Sequence, residues 1–180
     1  MGKATHDLVQ EHEKILHVLD IIRKVQANDK IKVDTLLKFY TELADFIEIF
    51  ADKCHHGKEE ANLYHTLAPL GDELERNMII FLVEEHEEAR IINNQIRRAA
   101  QDGRLSEAAV AAAKYRKLLL DHIHKENEEM FPSIDKRITK EQEDIIYEHF
   151  MAVEKRTLGE AGVAGIDAMI KNWEHELLAK

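Results

Sequence analysis

The sequence is poor in the residues that interrupt helices. Only two prolines and seven glycines occur among 180 residues. In a helix interior a proline costs about 3 kcal/mol and a glycine about 1 kcal/mol, so their scarcity permits long helices. Aromatics make up only 6% of the chain, which argues against a large sandwich or barrel, whose strands favour aromatic and β-branched residues. Cys54 is the one cysteine. It cannot form an internal disulfide, a thiolate zinc cluster or an iron–sulfur cluster held by this chain alone, and it fits a reducing compartment. There is no apolar run of roughly 18 residues, so no membrane-spanning helix is expected. The stretch Met1–His6 lacks the apolar core of a signal segment, and a cytoplasmic location is the expectation.

The charge that is present is mostly negative. The formal net charge is −10, which repels phosphates and argues against nucleic-acid and anionic-membrane partners. The chain is also rich in histidine, with 11 residues, and the functional question is which of them face inward.

Apolar residues recur at helical spacing through most of the chain. Leu8, Ile15, Leu19 and Ile22 mark a helix from about Thr5 to Gln26, with Thr5 or Asp7 as caps and His12 on the apolar stripe. Asp34 is placed to cap a second helix, from about Thr35 to Leu67, carrying Leu36, Phe39, Leu43, Phe46 and Phe50. Pro69–Asp72 is a turn. A third helix from about Glu73 to Gln101 carries Leu82 and His86. A fourth begins at Ser106 and runs to about Phe131, with Pro132 as its end or a kink. Thr139–Gln142 reads as a cap and first turn, Gly159 and Gly162 interrupt the tail, and a last helix from Ile166 to Leu178 carries Trp173 as an anchor for the tail. The expected fold is all-α: an up-down-up-down antiparallel four-helix bundle with additional C-terminal helices.

Two segments carry the chemistry. Each of Cys54-His55-His56-Gly57-Lys58-Glu59-Glu60 and His122-Ile123-His124-Lys125-Glu126 contains a His followed four residues later by a Glu. On a helix these lie on one face, one turn apart, so both can bind one metal. The first and third helices each carry a Glu-His dipeptide, Glu11-His12 and Glu85-His86. A lone His on an apolar stripe is usually a core histidine. A His from each of four helices, two with a Glu one turn on, points to metal binding. Imidazole mixed with carboxylate suits iron, zinc, copper or manganese better than magnesium or calcium. Six side chains are too many for one tetrahedral ion and suit two ions bridged by carboxylates. On the second helix the ligand pair is His55 with Glu59 or His56 with Glu60. A regular helical wheel favours His56, which shares its face with Ile49, Leu63 and Leu67. On the fourth helix the wheel favours His122 with Glu126 over His124 with Glu128.

The order His, His-x-x-x-Glu, His, His-x-x-x-Glu, with Phe131-Pro132 after the last pair, resembles the hemerythrin-like cation-binding proteins over roughly residues 5–135. The resemblance implies a four-helix bundle over 1–135, a C-terminal helical extension over 136–180 packed on it, and two non-haem iron ions bridged by carboxylates, with other divalent metals as alternatives. Counting back from Phe-Pro in the family register selects His122, and the same register on the second helix selects His55. The implied ligands are therefore His12, His55, Glu59, His86, His122 and Glu126, with Glu59 and Glu126 bridging. The implied partner is a small molecule (dioxygen, peroxide or nitric oxide) in sensing, scavenging or iron handling. Turnover and oligomeric state are left open. Oxygen-carrying relatives have two third-helix His ligands four residues apart. Here Leu82 and Arg90 flank His86 at that spacing, which argues against reversible oxygen carriage. The vacancy would leave a metal more open or be filled by water or by a carboxylate such as Glu85, Glu88 or Glu129.

Overall fold

The computed structural model describes residues 2–178, and among these there is no β-strand. Helix α1 spans Lys3–Gln26. Helix α2 covers 33–67 and changes pitch along its length. Val33–Phe46 is α-helical, Ile47–His56 and Glu59–Tyr64 take the wider π form, and His65–Leu67 returns to α. Helix α3 spans Glu73–Gln101. Helix α4 covers 105–137, with the π segment Glu126–Met130 between Leu105–Lys125 and Phe131–Arg137. In the tail, α5 spans Lys140–Leu158 and α6 covers 162–178.

Asp72 and Thr139 start α3 and α5 with reciprocal capping boxes, to Glu75 and Gln142 respectively. Three expected caps are not used. Helix α1 starts at Lys3 rather than at Thr5 or Asp7, α2 at Val33, and α4 at Leu105. A side-chain cap is worth only about 1 kcal/mol. In α1 it loses to burial: Ala4 and Thr5 are packed inside, and the Thr5 hydroxyl donates to Asp135 (2.7 Å) rather than capping. Pro132 does not end α4. It falls in the first turn of Phe131–Arg137, just after the π segment. A widened turn shifts the ladder so that the proline's missing N–H and bulky ring are accommodated without a break. Gly159 and Gly162 have φ of 64° and 53°, conformations glycine adopts without strain, and they turn the chain between α5 and α6.

Side-chain bonds between the helices fall in opposite sequence order. Along α1 and α4, Thr5 meets Asp135, His12 meets Asn127 and Gln26 meets Ala109. Along α2 and α3, Ala44 meets Asn93, Asp52 meets Arg90 and Glu60 meets His86. Along α3 and α4, Glu75 meets Ser133 and Glu85 meets His122.

The apolar interior falls into two clusters. The larger includes Ile15, Ala51, Ala89, Leu119 and Trp173. The smaller includes Leu8, Leu63, Leu82, Met130 and Phe150. Each of the four long helices passes from one cluster to the other, and in each the transition falls at a histidine. His12 lies between Leu8 and Ile15, His55 between Ala51 and Leu63, His86 between Leu82 and Ala89, and His122 between Leu119 and Met130. Apolar residues on both sides thus fix a polar layer in the middle. The tail closes over this arrangement. Phe150 belongs to the smaller cluster. Trp173 stands edge-on to Phe39 and Phe46, with centroids 5.4 and 5.9 Å away, and donates its indole N–H to Glu42 at 2.8 Å.

Candidate metal centre

The eleven histidines divide cleanly by burial. His12, His55, His56, His86 and His122 are at most 1% exposed, and the other six are exposed. The five buried rings meet Glu59 and Glu126, both fully buried, in the polar layer. Two groups of potential ligand atoms form there, each with all its atoms within 4.8 Å of one another: His56, Glu59, His86 and His122; and His12, His55, Glu59 and Glu126. Glu59 belongs to both. All six residues expected from the sequence converge. The seventh, His56, had appeared only as an alternative to His55. Glu126 falls in one group, whereas the sequence reading had both carboxylates bridging.

The π form explains how His55 and His56 both point inward. A regular helix turns 100° per residue and sends neighbours to different faces. A wider π turn reduces that angle, and such turns recur at functional sites. The π segments of α2 and α4 hold His55, His56, Glu59 and Glu126. The alternative His124 and Glu128 are exposed, and Glu60 acts one layer out.

That outer layer orients the rings. His12 Nδ1 lies 2.8 Å from Asn127 Oδ1, and His55 Nδ1 lies 2.9 Å from Glu11. His86 Nδ1 lies 2.7 Å from Glu60, and His122 Nδ1 lies 2.9 Å from Glu85. An acceptor at Nδ1 holds a proton on that nitrogen and directs Nε2 toward the centre, the nitrogen a metal-bound imidazole uses. Each outer carboxylate is in turn held by a cation. Lys58 binds Glu11 at 2.7 Å, Arg90 binds Glu60 at 2.7 Å, and Lys125 binds Glu85. Glu85 is therefore neither a substitute ligand nor part of a solvated face, while Glu88 and Glu129 are exposed.

Inside this shell several polar atoms lack hydrogen-bond partners. Both oxygens of Glu59, both nitrogens of His56, His12 Nε2 and Glu126 Oε2 are buried without a hydrogen bond. His12 Nε2 and Glu126 Oε2 lie 3.1 Å apart yet make no directed bond, as expected of two atoms aimed at a common third point. An unpaired buried polar group costs about 1–3 kcal/mol and a buried charge more. The donors are nitrogen and carboxylate oxygen, matched to a transition-metal cation, so the residues present fit metal binding on both geometry and chemistry.

Burial and mutual proximity shape the titration of the metal-free cluster. Burial, reinforced by His12, pushes His55 down to about 4. Burial also lowers His56 and His86. At His122 burial acts downward, but Glu126 and Glu85 outweigh it and lift the ring to about 9. Burial and the neighbouring Glu126 raise Glu59 well above the usual carboxylate range; at Glu126 burial is outweighed by His122 and His12, which hold it well below that range. Cys54 is buried, and its thiol is pushed up to about 12 by burial and Glu11. It is a small core residue rather than a reactive thiolate.

The fold and this site define an all-helical metal-binding protein. A family model described as the hemerythrin HHE cation binding domain matches residues 3–134, and the chain belongs to that family. Comparison with curated proteins and with solved structures found no match.

Proposed function

We propose that α1–α4 form an up-down-up-down four-helix bundle around a carboxylate-bridged, non-haem di-iron centre, with residues 136–180 as a helical extension, in a cytoplasmic protein. The ligands in this reading are His12, His55, His56, Glu59, His86, His122 and Glu126. The observation that carries it is the pair of fully buried ligand groups sharing Glu59, whose two oxygens accept no hydrogen bond. Two metal ions would satisfy both oxygens at once. When bound, the pair of irons supplies redox chemistry toward dioxygen, peroxide or nitric oxide.

The residues of the chain restrict that chemistry. All seven ligands are at most 1% exposed, so exogenous ligands are limited to molecules of a few atoms, which favours sensing, scavenging or iron handling over oxidation of a large substrate. His56 fills the place left by the absent second histidine on the third helix. With three imidazoles on one metal and two imidazoles with two carboxylates on the other, the donor set suits iron. Anaerobic addition of ferrous iron should load two equivalents, and air should then produce ligand-to-metal absorption in the near-ultraviolet. A colourless, iron-free product would overturn the reading.

A second reading, a redox- or iron-responsive signalling module without turnover, is favoured by one contact. Lys58, fully buried, joins Glu11, which holds His55, to Glu154 of the tail helix α5 at 3.4 Å. The state of the centre would thereby reach the tail. Limited proteolysis of residues 136–180 with and without iron tests it, and identical cleavage dismisses it. A peroxide- or nitric-oxide-consuming enzyme would instead show turnover that is lost in Glu59→Ala.

A further inference from the structure

The centre is built from two matching halves, and the match fails at one hydroxyl. Tyr64 follows Glu59 by the same five residues that separate Phe131 from Glu126. Each ring lies nearly parallel to a histidine of the other half. Tyr64 stacks on His86 with centroids 6.3 Å apart and planes inclined by 14°, and Phe131 stacks on His12 at 5.4 Å and 9°. The Tyr64 hydroxyl, fully enclosed, donates to Glu126 Oε1. Phe131 has no hydroxyl to give Glu59. The unpartnered atoms follow this difference: Glu59 keeps both oxygens free, whereas Glu126 keeps only Oε2.

We propose that Tyr64 is a positioning residue that makes the two metal positions unequal, by occupying one oxygen of Glu126 so that this carboxylate serves the His12/His55 position alone while Glu59 bridges. The proposal rests on the two-metal reading above. A buried tyrosine hydroxyl commonly finds an acceptor, but here the acceptor is a ligand, and its second oxygen lies 3.1 Å from His12 Nε2. The hydrogen bond withdraws electron density from Glu126 and fixes its rotation about the terminal carbon, so that Oε2 is directed to one side of the layer. Without the hydroxyl, Oε1 of Glu126 keeps only the His122 ring, whose Nε2 lies 3.2 Å away. That oxygen can then serve the His86/His122 side as well.

Tyr64→Phe tests this, since it gives the first half the ring the second already has. The protein is titrated anaerobically with ferrous iron, and Mössbauer spectra are recorded at two equivalents. The wild type is expected to bind two irons with separable affinities and to give two ferrous signals of different splitting. In Tyr64→Phe one iron binds about 10- to 100-fold more weakly, the range for loss of an outer partner of a metal ligand, and the two signals move closer together. Wild-type affinities and a wild-type spectrum in Tyr64→Phe overturn the proposal and leave the two-metal reading intact. A wild-type protein that takes up fewer than two metal ions overturns both. Should Tyr64→Phe not fold, replacement of tyrosine by 3-fluorotyrosine keeps the ring and strengthens the donor. One ferrous signal is then expected to shift, and an unchanged pair overturns the proposal.

Discussion

The half of the centre from α1 and α2 and the half from α3 and α4 correspond residue by residue in sequence register and in side-chain contacts. His12 corresponds to His86, and His55 to His122. Glu11 holds His55 as Glu85 holds His122, and Lys58 braces Glu11 as Lys125 braces Glu85. Glu60 orients His86, and Asn127 orients His12. The correspondence goes well beyond the shared Glu-His and His-x-x-x-Glu motifs, although the apolar positions of the two halves show little likeness in sequence. The differences lie at specific places. The counterpart of His56 is Ile123, that of Tyr64 is Phe131, that of the charged Glu60 is the neutral Asn127, and that of the enclosed Lys58 is a Lys125 that is 24% exposed. What the halves share builds the two groups of potential ligand atoms. Where they differ, the two positions acquire different donors and different electrostatics.

The largest effect should come from the residue that both groups use. Glu59→Ala removes an oxygen from each group and is expected to weaken iron binding at both positions by more than about 100-fold, beyond the loss typical of an outer partner. Glu126→Ala should leave the His56/His86/His122 position occupied, at close to one iron per chain. Iron-to-protein ratios after desalting decide between them, and equal loss in the two variants would erase the distinction between bridge and terminal ligand. Next in size is the pair of lysines. Burial pulls Lys58 down, but Glu11 and Asp7 outweigh it and keep it charged. Lys58→Met therefore strands buried carboxylates and should cost about 3–5 kcal/mol. Lys125→Met removes a partly solvated ion pair worth at most about 1 kcal/mol. Chemical denaturation of the two variants measures the contrast.

The equivalent rings His55 and His122 titrate in opposite directions, and the metal-free protein should show it. His55 is held at about 4 against an ordinary 6.5. Between those values the unfolded chain binds the extra proton, so stability is lost as pH falls from about 6.5 through about 4. His122 is raised to about 9. The stability it contributes is complete below about 6.5 and is lost as pH rises through about 9. Each shift corresponds to roughly 3 kcal/mol. Denaturation of the metal-free protein across this range should give maximum stability near neutral pH and losses on both sides. A profile flat from about 4 to 9 would mean that neither ring is shifted from its ordinary value.

The sequence made the general plan readable because its signals were periodic or repeated. Long helices followed from scarce breakers and apolar stripes, and α3 matches its expected span, Glu73–Gln101. The His and Glu residues were legible because they recur at one spacing on four helices. That His55 and His56 both point inward was not, because a helical wheel assumes a constant 100° per residue, and the pitch of α2 changes where the ligands are. With a uniform wheel, His55 and His56 compete for one inward direction, and either choice discards a residue that the fold buries. The outer role of Glu11, Glu60 and Asn127 was hidden for another reason. Each braces a ring on a different helix, so no spacing within one helix reports that role, even where Glu11 stood out beside His12, and Glu60 as a candidate ligand.

His56 also supplies the comparison with the clearest change of sign. Its counterpart Ile123 packs at the same register with no polar atom to satisfy. His56 has both nitrogens buried without a hydrogen bond, and Asp52 is 3.8 Å from Nδ1. In the metal-free protein such a ring destabilises the fold, and removing it recovers about 1–3 kcal/mol, the usual penalty for an unsatisfied buried group. The substitution His56→Ile makes the first half resemble the second and should raise the melting temperature of the metal-free form. The same change removes one of three imidazoles from a metal position, so the iron-loaded form should lose affinity there and with it part of the stabilisation that ligand binding confers. Thermal melts with and without ferrous iron should therefore move in opposite directions. A histidine retained only for packing would shift both melts the same way, since its contacts with the stacked ring of His86, 3.8 Å away between centroids, are present whether or not metal is bound.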